Sequence, residues 1–341
     1  MRFRSQLTNI ATFTKLTASL SSLGKICWVR LEEDSIRFTI IPDQGTQVWA
    51  QLPLAILFES YDLQSASDVI NLEVPIGGLH RALRSAMGGV SARLRLTKKG
   101  NTPLLALTVV TASYTIGNNP LETSTGDDYH QLDTPPATRQ RRGPGDREAV
   151  ITQEIPVRVL HESKVEGLHE PRCRRPDVHI ILPALLQLKS ISERFTKLAK
   201  ETSSRDAAST QAAASSSLPM LELSANMHGS LKLAIATDAL RISTVWTGLV
   251  NPPLDPAQLS QDEIDQLPSE RMRALGGEEG GEEGWAKVRI DGRDWGRVLS
   301  VGRMSPKVVA CFIHDTALIL YVYLPGEDDS CLTYYINSYS S

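Results

Sequence analysis

The sequence predicts an α+β fold made of four strand-helix-strand-strand units, and three observations support this prediction. Segments in which apolar and polar residues alternate enclose four segments in which apolar residues recur at helical spacing. The four units repeat the same order of elements and form two pairs, which indicates a duplicated domain. The length of 341 residues fits two domains, each large enough to bury its own core.

The first pair of units extends to residue 110. On the first predicted helix, Phe13, Leu16 and Leu20 recur on one face, and the second helix is predicted over Leu79–Met87. Turns are predicted at Glu33-Asp34 and at Lys99–Asn101, each between two strands. The predicted strands lie at 1–7, 26–32, 35–41, 69–74, 92–96 and 104–110.

The second pair repeats this order after residue 176. Its first helix carries Leu188, Ile191 and Phe195 on one face, and its second helix is predicted around Trp295–Val301. Turns are predicted at the His-Gly pair before residue 230 and at His314-Asp315. The predicted strands lie at 178–182, 220–226, 230–236, 285–291, 307–313 and 317–324.

Three stretches have compositions that resist burial. Residues 114–147 are rich in Gly, Pro and Arg, residues 202–218 in Ser and Ala, and residues 255–284 carry nine acids against two arginines. We expect these stretches to be mobile loop insertions whose removal leaves the fold intact. Residues 161–176 lack any strand or helix period and are predicted to connect domains at 1–160 and 177–341.

Composition excludes several classes of protein. The 36 Lys and Arg residues nearly balance the 39 Asp and Glu residues, so the net charge of −3 argues against a polybasic binder and against a disordered acidic chain. Four widely spaced cysteines favour reduced, mostly buried thiols. The sequence lacks an apolar run of the roughly 18 residues that a membrane span needs, and its N-terminus lacks a signal-peptide core. We therefore expect a soluble intracellular protein.

Positive charge is concentrated in the predicted helices. Residues 7–25, 77–89, 184–200 and 291–307 together carry +9, which leaves −12 for the rest of the chain. On the first helix, Lys15 and Lys25 fall opposite the apolar face. A solvated surface explains any one basic helix, but four helices of the same sign favour contact with a phosphate backbone.

Signals for catalysis or metal binding are weak. Ser22 and Lys25 match an S-x-x-K pattern, but the companion motifs of that enzyme class are absent. His161, His169 and Cys173 have no standard metal-ligand spacing, and the sequence has no P-loop for nucleotide hydrolysis. We therefore expect no catalytic residue, no metal and no cofactor.

Four segments resemble one known family. MRFR at 1–4, ITQEIPVRVL at 151–160, PDVHIILP at 176–183 and LVNPPL at 249–254 are similar to the Hus-type checkpoint clamp subunits of the heterotrimeric nine-one-one ring. This resemblance implies a DNA-clamp fold related to proliferating-cell nuclear antigen (PCNA), with sheets outside and helices lining a central channel. The insertions at 114–147 and 255–284 are longer than the family pattern leads us to expect.

The resemblance also implies a function and its partners. It implies a non-enzymatic nuclear subunit that encircles double-stranded DNA at damage sites with a Rad-nine-type and a Rad-one-type subunit, is loaded by a clamp loader, and serves checkpoint and repair proteins. A homotrimeric replication clamp and a clamp-fold scaffold that does not enclose DNA remain alternatives. The residues expected to face the DNA are Lys15, Lys25, Arg81, Arg84, Lys189, Arg194, Lys197 and Arg297.

Two further surfaces follow from the resemblance. In clamps, neighbouring subunits pair their edge strands, which here implies the region from 93–96 to Val110 and, in the second half, the third-unit helix with its following strands. Partner peptides are expected in a groove beneath the connector, which is matched by the apolar residues Val157, Val159, Leu160, Val165 and Leu168.

Overall fold

A computed structural model describes residues 1–42, 45–113, 147–207, 220–237, 240–252, 265–276, 281–303, 307–324 and 331–339. Its helices are α1 (Ile10–Leu23), α2 (Ile76–Ala86), α3 (Leu185–Ala207), α4 (Pro268–Gly276) and α5 (Gly292–Val298). The strands of the first half are β1 (Arg2–Leu7), β2 (Ile26–Leu31), β3 (Ser35–Ile40), β4 (Gln47–Pro53), β5 (Phe58–Gln64), β6 (Ile70–Pro75), β7 (Ser91–Lys99), β8 (Thr102–Ser113), β9 (Arg147–Pro156) and β10 (Arg158–Leu160). The strands of the second half are β11 (Val178–Ile181), β12 (Met220–Asn226), β13 (Leu231–Ala236), β14 (Arg241–Trp246), β15 (Trp285–Asp291), β16 (Val308–Ile313), β17 (Ala317–Tyr323) and β18 (Cys331–Asn337).

The strands form three antiparallel sheets. A five-stranded sheet has the order β5-β1-β7-β8-β9, and a four-stranded sheet has the order β14-β13-β12-β15. A nine-stranded sheet, β10-β6-β2-β3-β4-β18-β17-β16-β11, runs through both halves of the chain. The halves meet in this sheet where β4 pairs with β18, with Ala50 opposite Leu332.

All four predicted strand-helix-strand-strand units are present, and each continues into a further strand that the sequence analysis did not predict. These third strands after the helix are β4, β9, β14 and β18. The signal was present in the sequence, because QVWAQLP and CLTYYIN are rich in β-branched and aromatic residues and are half or fully buried.

Local chemistry explains where α1 and the tight turns occur. The Asn9 side chain accepts the backbone N–H of Thr12 at 2.9 Å and caps α1, which ends before Gly24. Gly100 and Gly229 have φ of +60° and +74°, and Asp315 has φ of +52°, so the predicted turns use the left-handed region. Gly229 is further constrained because a Cβ there would collide with the carbonyl oxygen of Leu249.

The core lies between the helices and the inner faces of the sheets. On α1 the apolar residues Phe13, Leu16 and Leu20 are buried, as their spacing predicted. The Trp295 side chain of α5 is fully buried, and its Nε1–H donates to Ser192 Oγ on α3 at 3.1 Å. The core is continuous across both halves because α1 also packs against α5.

Two of the predicted loop insertions contain helical structure. Residues 202–207 continue α3, so the helix extends beyond its predicted end. Within 255–284, α4 packs against β11, β12 and β15, and Leu267 and Ser269 are buried. The prediction of an unpacked insertion is therefore wrong for α4. Residues 114–146, 208–218, 255–264 and 277–280 lie outside the described ranges.

The sequence of α4 carried a helix signal that its acidic surroundings obscured. Pro268 occupies the first helical position, Glu270 lies in the first turn, Arg273 in the last turn and Gly276 at the end. This order suits both the backbone geometry and the dipole of a helix. The His228 ring approaches this helix end, with Nε2 3.2 Å from the carbonyl oxygen of Arg273.

Candidate nucleic-acid interface

Four helices pack side by side in the order α2, α1, α5, α3. Each buries an apolar stripe, so its opposite face is turned away from the core. This layer contains seven of the eight cations predicted to face DNA, and the eighth, Lys25, follows the Gly24 cap of α1. The arrangement therefore brings residues from both halves of the chain onto one helical surface.

On α1 and α2 the predicted cations are exposed. Lys15 and Lys25 are exposed, and so are Arg81 and Arg84 beside the buried Leu83. Among the described residues, these four side chains form no ion pair. Their charge is available to an external anion.

On α3 and α5 most of the predicted cations have a carboxylate neighbour. Lys189 Nζ lies 3.8 Å from Glu193, and Lys197 Nζ lies 3.9 Å from Glu201. Arg297 lies 3.2 Å from Asp294. Arg194 is exposed without an ion pair to a described carboxylate. The sequence analysis missed Glu201 because it ended the basic helical segment at residue 200.

A depression of about 460 Å³ lies where α1, α3 and α5 meet. It collects only Lys189, Lys197 and Arg297 of the predicted set, and it adds Lys200 and Arg293. The Ser22 hydroxyl lines the same depression but donates to the carbonyl of Ser19 at 2.6 Å. The lining therefore holds five cations and one carboxylate, that of Glu193.

The connector covers a groove of about 690 Å³ on the outer face of the nine-stranded sheet. Leu160, Val165 and Leu168 line this groove, and Trp28 and Trp49 contribute to its floor. Val157 does not line it, because its side chain is buried in the main core, and Val159 also lies outside the lining. Two polar atoms at the groove, Trp49 Nε1 and Asn71 Oδ1, are buried without a described hydrogen-bond partner.

Charges near this groove neutralise one another. Arg30 and Arg37 approach the Glu32 carboxylate at 2.6 and 3.3 Å. Burial alone would raise the pKa of Glu32, but hydrogen bonds from Arg30 and Ser35 and the charge of Arg37 outweigh it and lower that pKa. The carboxylate is therefore ionised at neutral pH and compensates one of the two guanidinium charges, while Asp34 and Glu170 add two carboxylates to the groove lining.

The predicted subunit edge in the first half is wrong. Strand β7 lies between β1 and β8, and β8 lies between β7 and β9, so the edges of this sheet are β5 and β9. In the second half, the edges of the four-stranded sheet are β14 and β15. Exposed apolar residues lie on one edge strand of each sheet: Val150 and Ile151 on β9, and Val245 on β14.

Cysteines and candidate metal ligands can be placed individually. All four cysteines are free thiols: Cys27 and Cys311 are buried and Cys331 is half-buried, which confirms the expected mostly buried set, and Cys173 is exposed in the connector. The ring nitrogen Nδ1 of His161 lies 3.0 Å from Ser163 Oγ. In the described part of the chain, no three His, Cys, Asp or Glu side chains are grouped as metal ligands, and no helix is long and apolar enough to cross a membrane.

Comparison with known proteins assigns this architecture to a family. A family profile described as "Hus1-like protein" matches residues 1–340. Checkpoint protein hus1 of Schizosaccharomyces pombe is 34% identical, with 99% of each chain covered, and Checkpoint protein HUS1 of Homo sapiens is 23% identical, with 100% of each covered.

Solved structures show the fold. PCNA of Thermococcus kodakaraensis matches with a TM-score of 0.58 at 14% identity, covering 99% of this chain and 100% of that one. The PCNA2–PCNA3 complex of Sulfolobus tokodaii matches with a TM-score of 0.55 at 14% identity, covering 99% of each chain. The chain therefore belongs to the Hus1-like family, and it is a checkpoint clamp protein with the PCNA fold.

Proposed function

We propose that this chain is one subunit of a heterotrimeric DNA sliding clamp, joined by a Rad-nine-type and a Rad-one-type subunit. The ring encircles double-stranded DNA at damage sites in the nucleus, where a clamp loader places it. It serves checkpoint signalling and repair by holding partner proteins on DNA, without catalysis of its own. The names of the relatives support the checkpoint role, and the remaining steps rest on the geometry below.

The single observation that supports ring assembly is the difference in strand number between the three sheets, which have five, nine and four strands. The third strands β4 and β18 pair with each other and so complete a nine-stranded sheet. The other two third strands, β9 and β14, end sheets of five and four strands. Pairing β9 of one subunit with β14 of the next forms an equivalent nine-stranded sheet, and this head-to-tail contact closes into a ring.

The same assembly gives the helical surface a role. The helices carry an excess of cations, whereas the whole chain carries −3. A ring needs attraction to phosphate only on its inner wall, because enclosure rather than affinity retains the DNA. Lysine and arginine contacts to phosphate are independent of sequence and allow sliding.

Assembly state distinguishes this proposal from a homotrimeric processivity clamp. We expect the isolated chain to remain at its own mass of 37.4 kDa in light scattering after size exclusion, and to form a ring only with both partner subunits. A stable homotrimer at three times this mass would contradict the heterotrimer. A ring that forms but never topologically links to circular DNA would favour the scaffold alternative.

The DNA-facing role is tested by charge reversal on the inner helices. We expect Lys15→Glu with Arg81→Glu to leave ring assembly unchanged and to shorten retention on closed circular DNA severalfold, because two phosphate contacts become repulsive. Lys98→Glu with Lys287→Glu, two exposed lysines on strands, is the matched control. Equal retention by both double variants would count against the helical surface as the inner wall.

The connector groove is the proposed site for partner peptides. Its apolar lining by Leu160, Val165 and Leu168 over Trp28 and Trp49 supports this role. Leu168→Asp should weaken binding of repair partners to the assembled ring while DNA retention stays unchanged. Unchanged partner binding would argue for docking elsewhere on the ring.

A further inference from the structure

The outer face of the five-stranded sheet carries a compact arginine cluster. Strands β1 and β7 are neighbours, with Arg4 opposite Arg95 and Gln6 opposite Arg93. The alternate residues Ser5 and Leu94 are buried, so the arginines project from the other face, where all three are exposed. We call Arg4, Arg93 and Arg95 the outer arginine cluster.

The carboxylates around this cluster already have partners. Asp62 lies 3.8 Å from Arg2, and Glu154 lies 3.3 Å from Lys99. Glu59 accepts a hydrogen bond from the Gln6 amide at 2.7 Å. Among described residues, the three arginines of the cluster form no ion pair. Asp62 is the residue opposite Arg4 on β5, but no carboxylate stands directly opposite Arg93 or Arg95, so the cluster keeps an excess of positive charge.

This arrangement opposes folding stability and therefore calls for a function. Like charges placed directly opposite each other on adjacent strands are destabilising. The cluster is positive although the chain outside its four basic helices carries a strongly negative net charge. A surface that retains repulsive charge is typical of a binding site, where the ligand relieves the repulsion.

The guanidinium groups of the cluster are suited to bind a phosphate group. Guanidinium groups bind phosphate oxygens with two parallel hydrogen bonds, and directly opposed residues have Cβ atoms only about 4.5–5.5 Å apart. Arg4 and Arg95 can therefore converge on one phosphate, with Arg93 diagonally adjacent to Arg4. The flanking carboxylates Asp62 and Glu154 would repel a continuous nucleic-acid backbone but leave room for a single phosphate.

We propose that the outer arginine cluster binds a phosphorylated serine or threonine of a partner protein. A phosphoserine or phosphothreonine carries about −1.5 to −2 charges at pH 7 and three acceptor oxygens, which match three guanidinium groups. Strand β8 separates the cluster from the β9 edge. The site thus stays open when β9 pairs with another subunit, and the chain recruits a modified partner on its outside.

Fluorescence anisotropy with synthetic peptides tests this proposal on the full chain. The probe is a short peptide with one central phosphothreonine and no other charged residue, compared with its unphosphorylated form and with duplex and single-stranded oligonucleotides. We expect the phosphopeptide to bind roughly tenfold more tightly than the unphosphorylated peptide, because the charge-assisted contacts require the phosphate. Arg4→Glu with Arg95→Glu should abolish this difference, and Arg4→Lys with Arg95→Lys should reduce it, since lysine lacks the planar fork.

Controls separate binding from folding and from ring assembly. Arg271→Glu with Lys287→Glu reverses two exposed cations elsewhere and should preserve phosphopeptide binding. Arg95→Glu alone should not lower the thermal midpoint, because it removes the repulsion from Arg4. All variants should still assemble with partner subunits, which keeps this test independent of the proposed clamp function. Phosphopeptide binding that is unaffected by the double reversal, or oligonucleotide binding that depends more strongly on these arginines, would overturn the proposal.

Discussion

A buried side-chain hydrogen bond between Tyr334 and Ser19 links the two halves of the chain. Tyr334 is completely buried on β18, and its hydroxyl lies 3.2 Å from Ser19 Oγ on α1. Burial raises the pKa of Tyr334 above its usual range, so the hydroxyl remains protonated. The pair therefore fixes α1 of the first half against the sheet of the second half.

Removing either hydroxyl should have unequal effects. Tyr334→Phe should cost about 0.5–1.5 kcal/mol, because the Ser19 hydroxyl can turn to a carbonyl of its own helix. Ser19→Ala should cost more, about 1–3 kcal/mol, because it leaves the Tyr334 hydroxyl buried without a partner. Urea unfolding of both single variants and the double variant measures this difference. A smaller loss in Ser19→Ala than in Tyr334→Phe would contradict the asymmetry.

At the residue scale, sequence reasoning succeeded where the determinant was local. Lys15 and Arg84 are exposed because helical periodicity alone places them opposite buried neighbours. Val157, the residue between β9 and β10, is buried in the main core on the same side as Ile155 and therefore lies away from the groove. The pairing of Arg4 with Arg95 depends on the register of two strands far apart in sequence.

At the element scale, the segment 249–252, which we call the strap, is hydrogen-bonded to β11. Residues 249–252 run along this strand, where Ile181 N–H donates to the carbonyl of Val250 at 2.8 Å. The Asn251 amide donates to the carbonyl of His179 at 2.7 Å, and His179 Nε2 lies 3.0 Å from the carbonyl of Pro252. PDVHIILP and LVNPPL, two of the segments that carried the family resemblance, thus contact each other.

The strap should make stability depend on pH. Burial lowers the pKa of His179 below its ordinary value of 6.5, with Arg273 acting in the same direction and Pro252 and Glu270 opposing it. The unfolded chain therefore binds this proton more readily, so stability is full above about pH 6.5 and decreases as the pH falls below it. Urea unfolding at several pH values measures the slope.

His179→Gln provides the comparison, because glutamine keeps an N–H donor but does not titrate. We expect the variant to lose part of the decrease in stability below about pH 6.5. His161→Gln, at an exposed connector position, is the control and should retain the wild-type slope. If the free energy of unfolding of His179→Gln depended on pH as strongly as that of the wild type, the group responsible would be a residue other than His179.

Docking of α4 depends on a close approach of two glycines. A Cβ on Gly284 would lie 2.5 Å from Gly276 Cα and 2.8 Å from Gly276 N. Gly284→Ala should therefore displace α4 or the turn and cost about 1–3 kcal/mol in urea unfolding. Gly281→Ala is a matched control, since its nearest atom is 3.5 Å away, and it should change stability little. Equal free energies of unfolding for Gly284→Ala and Gly281→Ala would show that the structure accommodates the extra methyl group at Gly284 at little cost.

Elements differed in how far the sequence could predict them. The paired helices and their flanking strands were predictable, because amphipathic spacing marks them independently of the fold. The third strand of each unit was missed because its ends are set by pairing with distant strands, as for β4 with β18. Helix α4 was missed because acidic composition outweighed its Pro, Glu and Arg positions.

At the scale of the whole molecule, the distribution of charge over separate surfaces matters more than the net charge. The layer of four helices carries exposed cations, the groove beneath the connector sets Arg30 and Arg37 against nearby carboxylates, and the outer arginine cluster remains positive. A net charge of −3 therefore coexists with two positive surfaces that face in opposite directions. One surface suits a duplex enclosed by the ring, and the other suits a partner outside it.

The edge strands β9 and β14 each have exposed apolar residues, so we expect that mutation can disable each edge separately. Val150 and Ile151 on β9 are 63% and 48% exposed, and Val245 on β14 is 50% exposed. Substitution by glutamate at these positions should leave the free energy of unfolding of the isolated chain within about 0.5 kcal/mol, because exposed sites tolerate change. In the assembly the same charges become buried without partners, which costs several kcal/mol.

Each edge variant should therefore lose one neighbour and keep the other. Val150→Glu with Ile151→Glu should abolish the contact made by β9, and Val245→Glu should weaken the contact made by β14. Co-expression with both partner subunits, followed by light scattering, should detect binary complexes of different composition in the two cases and a closed ring in neither. If both variants lost the same partner, or if either still closed the ring, the pairing of β9 with β14 between subunits would be wrong.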